Sequence, residues 1–175
     1  MNRIIIGLSL TFSVAALVIS LALRNKYELV YIDAGRIYSD FQMSKELTKQ
    51  AEIAANSRKH ITDSLMERFR IKSGEIKFQK KPKEEDIIIL KQLEDEFVYR
   101  NEEFEKQNRD MITTMNTKIW NQINQYVSDF GRQKNYSFIF GANGQGNLMF
   151  ANKELDLTDE VVGYINNRYN DKTTK

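Results

Sequence analysis

The chain has no cysteine, one proline, one histidine and one tryptophan. The missing cysteine excludes disulfides, thiolate metal sites and a lipid carried on an amino-terminal cysteine. It does not fix the compartment, because an exported protein need not contain disulfides. One proline and eight glycines in 175 residues, with 29% of residues charged, point to long helices rather than a loop-rich fold. His60 has no cysteine or second histidine to share a ligand with, so it reads as a surface or seam residue. An excess of one charge is lacking too, since the formal net charge is +2. Without Arg3, Arg24 and Lys26 of the first 26 residues, 23 of the 26 basic residues remain against 24 acidic ones. A general nucleic-acid binder would be more basic, so no nucleic-acid partner is expected. Asp40, Glu46, Asp63 and Glu67 form no recognisable metal or acid–base pair. No nucleophile stands with a base, so neither an enzyme nor a cofactor site is expected.

One long hydrophobic run is present, at the start. Arg3 and the free amine precede Ile4–Leu23, 20 residues without a charge. As a helix that run would span about 30 Å, the thickness of a hydrocarbon core. It reads as an export signal with two fates open. Small residues around Ser20-Leu21-Ala22 offer a cleavage site, while the length of the run suits an uncleaved anchor. Under either reading, residues 1–26 are a signal peptide or membrane anchor and the rest of the chain lies outside the cytoplasm.

"ELVYIDAGRIYSDF" (28–41) opens with a buried-strand pattern at Leu29–Ile32. Asp33 stands where a helix amino-cap would, and Ile37, Tyr38 and Phe41 follow at helical spacing. From Gln42 to about Lys80 there is no proline and one glycine, and Leu47, Ala51, Ala54, Ile61, Leu65 and Phe69 make an apolar stripe that Arg58 interrupts. Pro82 fits the first turn of a new helix, with Glu84, Glu85 and Asp86 suited to its positive end. That helix runs from about Lys83 to Lys134. Leu90, Phe97, Phe104 and Met111 recur every seven residues, then Met115, Ile119, Ile123 and Val127, with Asn101 and Asn108 near the complementary seam. Trp120 lies near this apolar face. Asn135 suits the left-handed position that closes a helix. The two stretches read as a helical hairpin of coiled-coil character.

"YSFIFGANGQGNLMFAN" then gives two apolar runs around a glycine-rich centre. A phosphate cradle would need a helix to begin after the glycines. Here "NLMFAN" reads as a strand, so the expectation is a β-hairpin turned at Asn143-Gly144. In "LDLTDEVVGYINNRYN", Thr158 is a good amino-cap and Val161, Ile165 and Tyr169 form a docking face. The first strand could not survive alone and a two-stranded hairpin would be marginal, so the chain's two ends must meet in one body. The expected fold is α+β and mostly helical. A small β-body (27–41 and 135–170) carries an inserted antiparallel helical arm (42–134, tip about 72–83), and 171–175 form a disordered tail.

This order, with "LVYIDAGRIYSDF" at the start and "NYSFIFGANGQGNLMFANKELDLTDEVVGYIN" at the end, resembles the Skp/OmpH family of periplasmic chaperones over about residues 28–168. The resemblance implies a homotrimer of tentacle-like arms around a cavity that holds unfolded outer-membrane proteins without ATP. The alternative is a membrane-anchored coiled-coil spacer or adaptor of the cell envelope. Such an adaptor would normally carry a further β-domain flanking its hairpin. The oligomer body would then use Val30, Ile32, Phe138, Phe140, Leu148 and Phe150. The arm tip carries Arg70, Lys72, Lys77, Lys80, Lys81 and Lys83 against Glu75 alone, a charge that suits anionic lipid headgroups, lipopolysaccharide or acidic client segments. Phe69, Ile76, Phe78, Phe97 and Phe104 are the apolar candidates for client contact on the arm.

Overall fold

The computed structural model describes residues 29–173. The expected signal or anchor at 1–26 therefore lies outside the described residues. Among those that are described, no helix is long and apolar enough to cross a membrane.

Strand β1 (Leu29–Asp33) leads directly into helix α1 (Ala34–Asp40). Asp33 caps α1, its carboxylate accepting the amide of Arg36 at 3.0 Å. At Phe41 the backbone is extended, and helix α2 (Gln42–Lys77) starts in a new direction. Phe41 has no polar side chain with which to cap α2. Asn166 supplies the cap from the other end of the chain. Its carbonyl oxygen accepts the Gln42 amide at 2.7 Å, and its amide donates to the Asp40 carbonyl at 3.1 Å. One side chain thus satisfies both broken helix ends.

After residues 78–83 the chain turns back into helix α3 (Glu84–Lys134). Lys83 is the cap residue, so Pro82 lies one position before it rather than in the first turn. Glu84, Glu85 and Asp86 occupy the first turn, where the helix dipole favours negative charge. Asn135 closes α3 in the left-handed conformation, φ 59°. Helix α3 packs along α2 as a hairpin. Tyr38 bonds to Asn116 at the base, Arg58 to Asn108 midway and Lys72 to Asp86 near the turn. Arg58, which interrupts the apolar stripe, thus meets the asparagine that weakens the opposite seam. Ile61 leaves the expected stripe and is 48% exposed, while Thr62 is buried in its place. The buried positions Ala51, Thr62 and Leu65 are eleven and three residues apart. Eleven residues make three whole turns of a straight helix, so this spacing keeps one face inward where strict sevens would drift.

Strand β2 (Phe138–Ala142) pairs with β1 in parallel, Leu29 opposite Phe138 and Asp33 opposite Ala142. The expected β-hairpin therefore does not form within the chain. Residues 148–150 have no ladder partner among the described residues. A parallel pair requires a crossover, and the whole helical arm is that crossover. The glycine-rich loop is closed instead by asparagines. The Asn147 amide donates to the Gly141 carbonyl, its oxygen accepts from the Asn143 amide, and the Asn143 side chain accepts from the Gln145 amide. Gly144 and Gly146 hold positive φ, 71° and 88°, in that loop. Gly131 permits a different close approach, since a Cβ there would stand 3.2 Å from Ile139.

Helix α4 (Thr158–Thr173) runs three residues past the expected start of a disordered tail and completes the body. The core joins Ile32 and Ile37, Phe41 and Met43, four residues of α3 (Ile119, Ile123, Tyr126, Phe130) and Val161 and Ile165 of α4. Phe41 sits at its centre, edge-on to Tyr126 at 6.2 Å and to Tyr169 at 5.5 Å. Trp120 lies at the rim, 5.5 Å from the Tyr38 ring and 37% exposed.

Candidate functional site

The two-stranded sheet has two apolar faces, as its sequence demands, but the described residues cover only one. Successive side chains along a strand alternate in direction. Val30 and Ile32 point inward and are buried. Leu29, Phe138 and Phe140 point outward, at 49%, 55% and 49% exposure. Phe138 and Phe140 stack on each other at 6.1 Å. Phe150 lies beside them, 81% exposed. Leu29, Phe140 and Phe150, with Leu148 and Leu155, line a hollow of about 330 Å³. The six body residues picked out by the sequence thus divide. Val30 and Ile32 are buried inside the body, Leu148 is half-buried, and Phe138, Phe140 and Phe150 are presented to the outside. Leu29 and Leu155 belong to the same surface and were missed. Period-two alternation from Leu29 onward was the signal that could have found the first of them.

The edges of the sheet differ as well. On the far side of β1, Asp156 bridges to Tyr31, and the Leu157 amide donates to the Tyr31 carbonyl at 2.9 Å. The outer edge of β2 has no ladder partner among the described residues. A bare edge beside a bare apolar face is a template for another chain.

A polar knot sets the position of that face. Thr158 is buried, and its hydroxyl accepts the Asp33 amide at 2.8 Å while donating to the Asp156 carboxylate. The hydroxyl expected to cap its own helix therefore ties α4 to the end of β1. Arg36 of α1 meets Asp159 of α4 at 2.6 Å. Burial alone would raise the Asp156 carboxyl. Hydrogen bonds from the Thr158 hydroxyl and amide, the nearby Arg36 charge and the Tyr31 hydroxyl outweigh it and hold that carboxyl below its ordinary value. Burial and the same aspartate push the Tyr31 phenol up.

The arm tip also divides. Lys72 is half-buried and bonds Asp86 at 2.7 Å and Glu75 at 3.3 Å, which raises its ammonium pKa and lowers that of the Asp86 carboxyl. Arg70 is paired with Glu67. Lys77, Lys80, Lys81 and Lys83 are all exposed and form no ion pair among the described residues, although the Lys83 charge also helps lower the Asp86 carboxyl. Among the apolar candidates, Phe69, Ile76, Phe97 and Phe104 are half-buried along the arm, whereas Phe78 stands 89% exposed among the unpaired lysines. Ile71, Ile87 and Ile88 lie close by in sequence and are also exposed. Among the described residues no group of acidic, histidine or cysteine side chains is placed to hold a metal.

Comparison with known proteins agrees with this architecture. A solved structure from Caulobacter crescentus CB15, described as a candidate outer membrane chaperone (OmpH-like), superposes with a TM-score of 0.58 at 11% identity, covering 80% of this chain and 84% of that one. At that identity the likeness establishes the fold. No curated protein matches the chain. The model of one protein family, described as outer membrane protein (OmpH-like), matches residues 28–165, most of the chain's length, and the chain belongs to the OmpH-like family.

Proposed function

We propose that this chain is an ATP-independent periplasmic chaperone that holds unfolded outer-membrane proteins and keeps them from aggregating. The carrying observation is the exposed face of Leu29, Phe138, Phe140 and Phe150 beside an open strand edge, in a chain of the OmpH-like family. A lone subunit would be aggregation-prone with such a face. Joining three copies through it buries the aromatic residues, satisfies the edge of β2 and leaves three arms, each an antiparallel helix pair, projecting around a shared space. An unfolded barrel protein bares apolar side chains and unpaired backbone, and both drive aggregation. Enclosure separates one such chain from the next. Release without an energy source requires weak contact at many points, which suits an arm whose seam is broken by Arg58, Asn108 and alanine.

The unpaired lysines of the tip, with Phe78 among them, suit an anionic surface such as lipid headgroups or lipopolysaccharide. This contact would bring the mouth of the cavity to a membrane.

Light scattering on residues 27–175, alone and after mixing with a urea-unfolded outer-membrane β-barrel protein, tests the reading. The expected result is a mass of three subunits, retained with one client bound. A monomer that leaves the client to aggregate would overturn it. Phe140→Glu should convert the trimer to monomers, because the glutamate would be buried without a partner in the joint face.

A further inference from the structure

Charge is distributed very unevenly along α3. Residues 84–110 contain fourteen Asp, Glu, Lys and Arg, whereas residues 111–128 contain one, Lys118. Exposed helix surfaces are ordinarily charged, and depletion of charge on an exposed surface marks a contact surface. In this stretch Thr114, Thr117, Asn121, Gln122 and Gln125 share one side of the helix at spacings of three and four residues. With Thr113, Lys118 and the buried Met43 of α2 they line an open groove of about 630 Å³ at the base of the arm. Part of its polar capacity is used internally. The Thr117 hydroxyl donates to the Thr113 carbonyl, and the Gln122 amide donates to the Gln125 oxygen at 3.2 Å. The Thr114 hydroxyl, the Asn121 amide group and the Gln125 NH₂ have no partner within the described residues.

We infer that this groove binds the main chain of an extended, unfolded polypeptide. Uncharged amides and hydroxyls offer both donors and acceptors. They match the alternating N–H and C=O groups of any extended backbone, whatever its side chains. Lys118 is the one charge in the lining, and a groove otherwise built of neutral groups complements a ligand whose common feature, the peptide group, is neutral. A second copy of this chain is the less suitable occupant. Stable contacts between copies are anchored by aromatic and large apolar residues, and those are concentrated on the sheet face instead. The inference rests on the chaperone reading and deepens it. It assigns sequence-independent client contact to the arm root, apart from the charged tip.

The test uses the full chain and a fluorescently labelled, urea-unfolded outer-membrane β-barrel protein as probe. The triple variant Thr114→Ala, Asn121→Ala, Gln125→Ala keeps helix propensity and neutrality while removing the free hydrogen-bonding groups. It should bind the probe about tenfold more weakly, the size of effect given by one or two net hydrogen bonds. The ratio to the parent should be the same at low and high salt, since no charge is altered. Gln50→Ala, Asn56→Ala, Gln92→Ala, three exposed polar positions elsewhere on the arm, should bind like the parent, and Asn121→Gln should retain parental affinity. A photo-crosslinker at Thr114 should capture the probe. Equal affinity of the groove variant and the parent, or crosslinks only to other copies of this chain, overturns the inference while leaving the chaperone reading intact. A parent protein that fails to bind the probe overturns both.

Discussion

At its root the arm buries Ile119, Ile123, Tyr126 and Phe130 against Phe41 and α4. Toward its tip the same two helices bury only Thr62, Leu65 and Leu93. The outer half relies on charged and polar pairs such as Arg58–Asn108 and Lys72–Asp86. Buried aromatic surface fixes geometry, because a packed core has few alternative arrangements. Exposed or half-exposed polar pairs hold two helices side by side without locking them. One continuous element is therefore stiff at its root and loosely joined toward its tip.

The strongest way to break this contrast is to remove a ring from the root. Phe130→Ala should cost about 3–5 kcal/mol of global stability. Leu93→Ala in the outer arm should cost about 2 kcal/mol, the lower end for such truncations, because its surroundings are open and can collapse. Denaturant unfolding followed by circular dichroism compares the two, and equal losses would abolish the distinction. Thr158→Val comes next. It preserves shape but leaves the Asp33 amide unsatisfied, at a cost of about 1–3 kcal/mol in the same measurement.

Acid sharpens the comparison further. The Asp156 carboxyl is held below its ordinary value when folded. Its stabilising contribution is therefore complete above the unfolded aspartate value, about 3.9, and is lost as pH falls through the depressed folded value. Asp156→Asn should lie below the parent in melting temperature at neutral pH, with the gap closing as the solution is acidified. A gap that stays constant down to acid would remove Asp156 from the body's stability. The smallest effect belongs to the tip. Asp86→Asn should leave the global midpoint unchanged and speed amide exchange near residues 76–86, where Lys72 loses its partner.

Much of this was visible in the order of residues. The helix limits followed from a long stretch with no proline and one glycine, the acidic turn after Pro82 and the left-handed Asn135, all local signals. The strand pairing was misread because the local signal, a glycine-rich turn between apolar runs, predicts a hairpin, whereas β2 finds its partner across the arm. No local pattern encodes that. Tyr126 and Phe130 escaped the heptad stripe because at the root α3 is covered by α1, α2 and α4 together, so its buried face widens beyond a two-helix seam. Thr158 was legible as a helix start, but its tie to Asp33 spans 125 residues of chain. The candidate surfaces were found in part. Exposed aromatics look like core residues in a sequence, and only the packing separates Ile32 from Phe140.

That long tie also sets an order of events. The arm helices close through neighbouring turns and can form as soon as they exist, whereas β1 has nothing to pair with until β2 arrives and is not tied off until Thr158 follows. The helices should accordingly form in microseconds and the body much later, since contacts distant in sequence form slowly. During synthesis, the exposed aromatic face of the sheet cannot be assembled before β2 and Thr158 have been made. The topology alone thereby keeps a half-made chain from presenting that face.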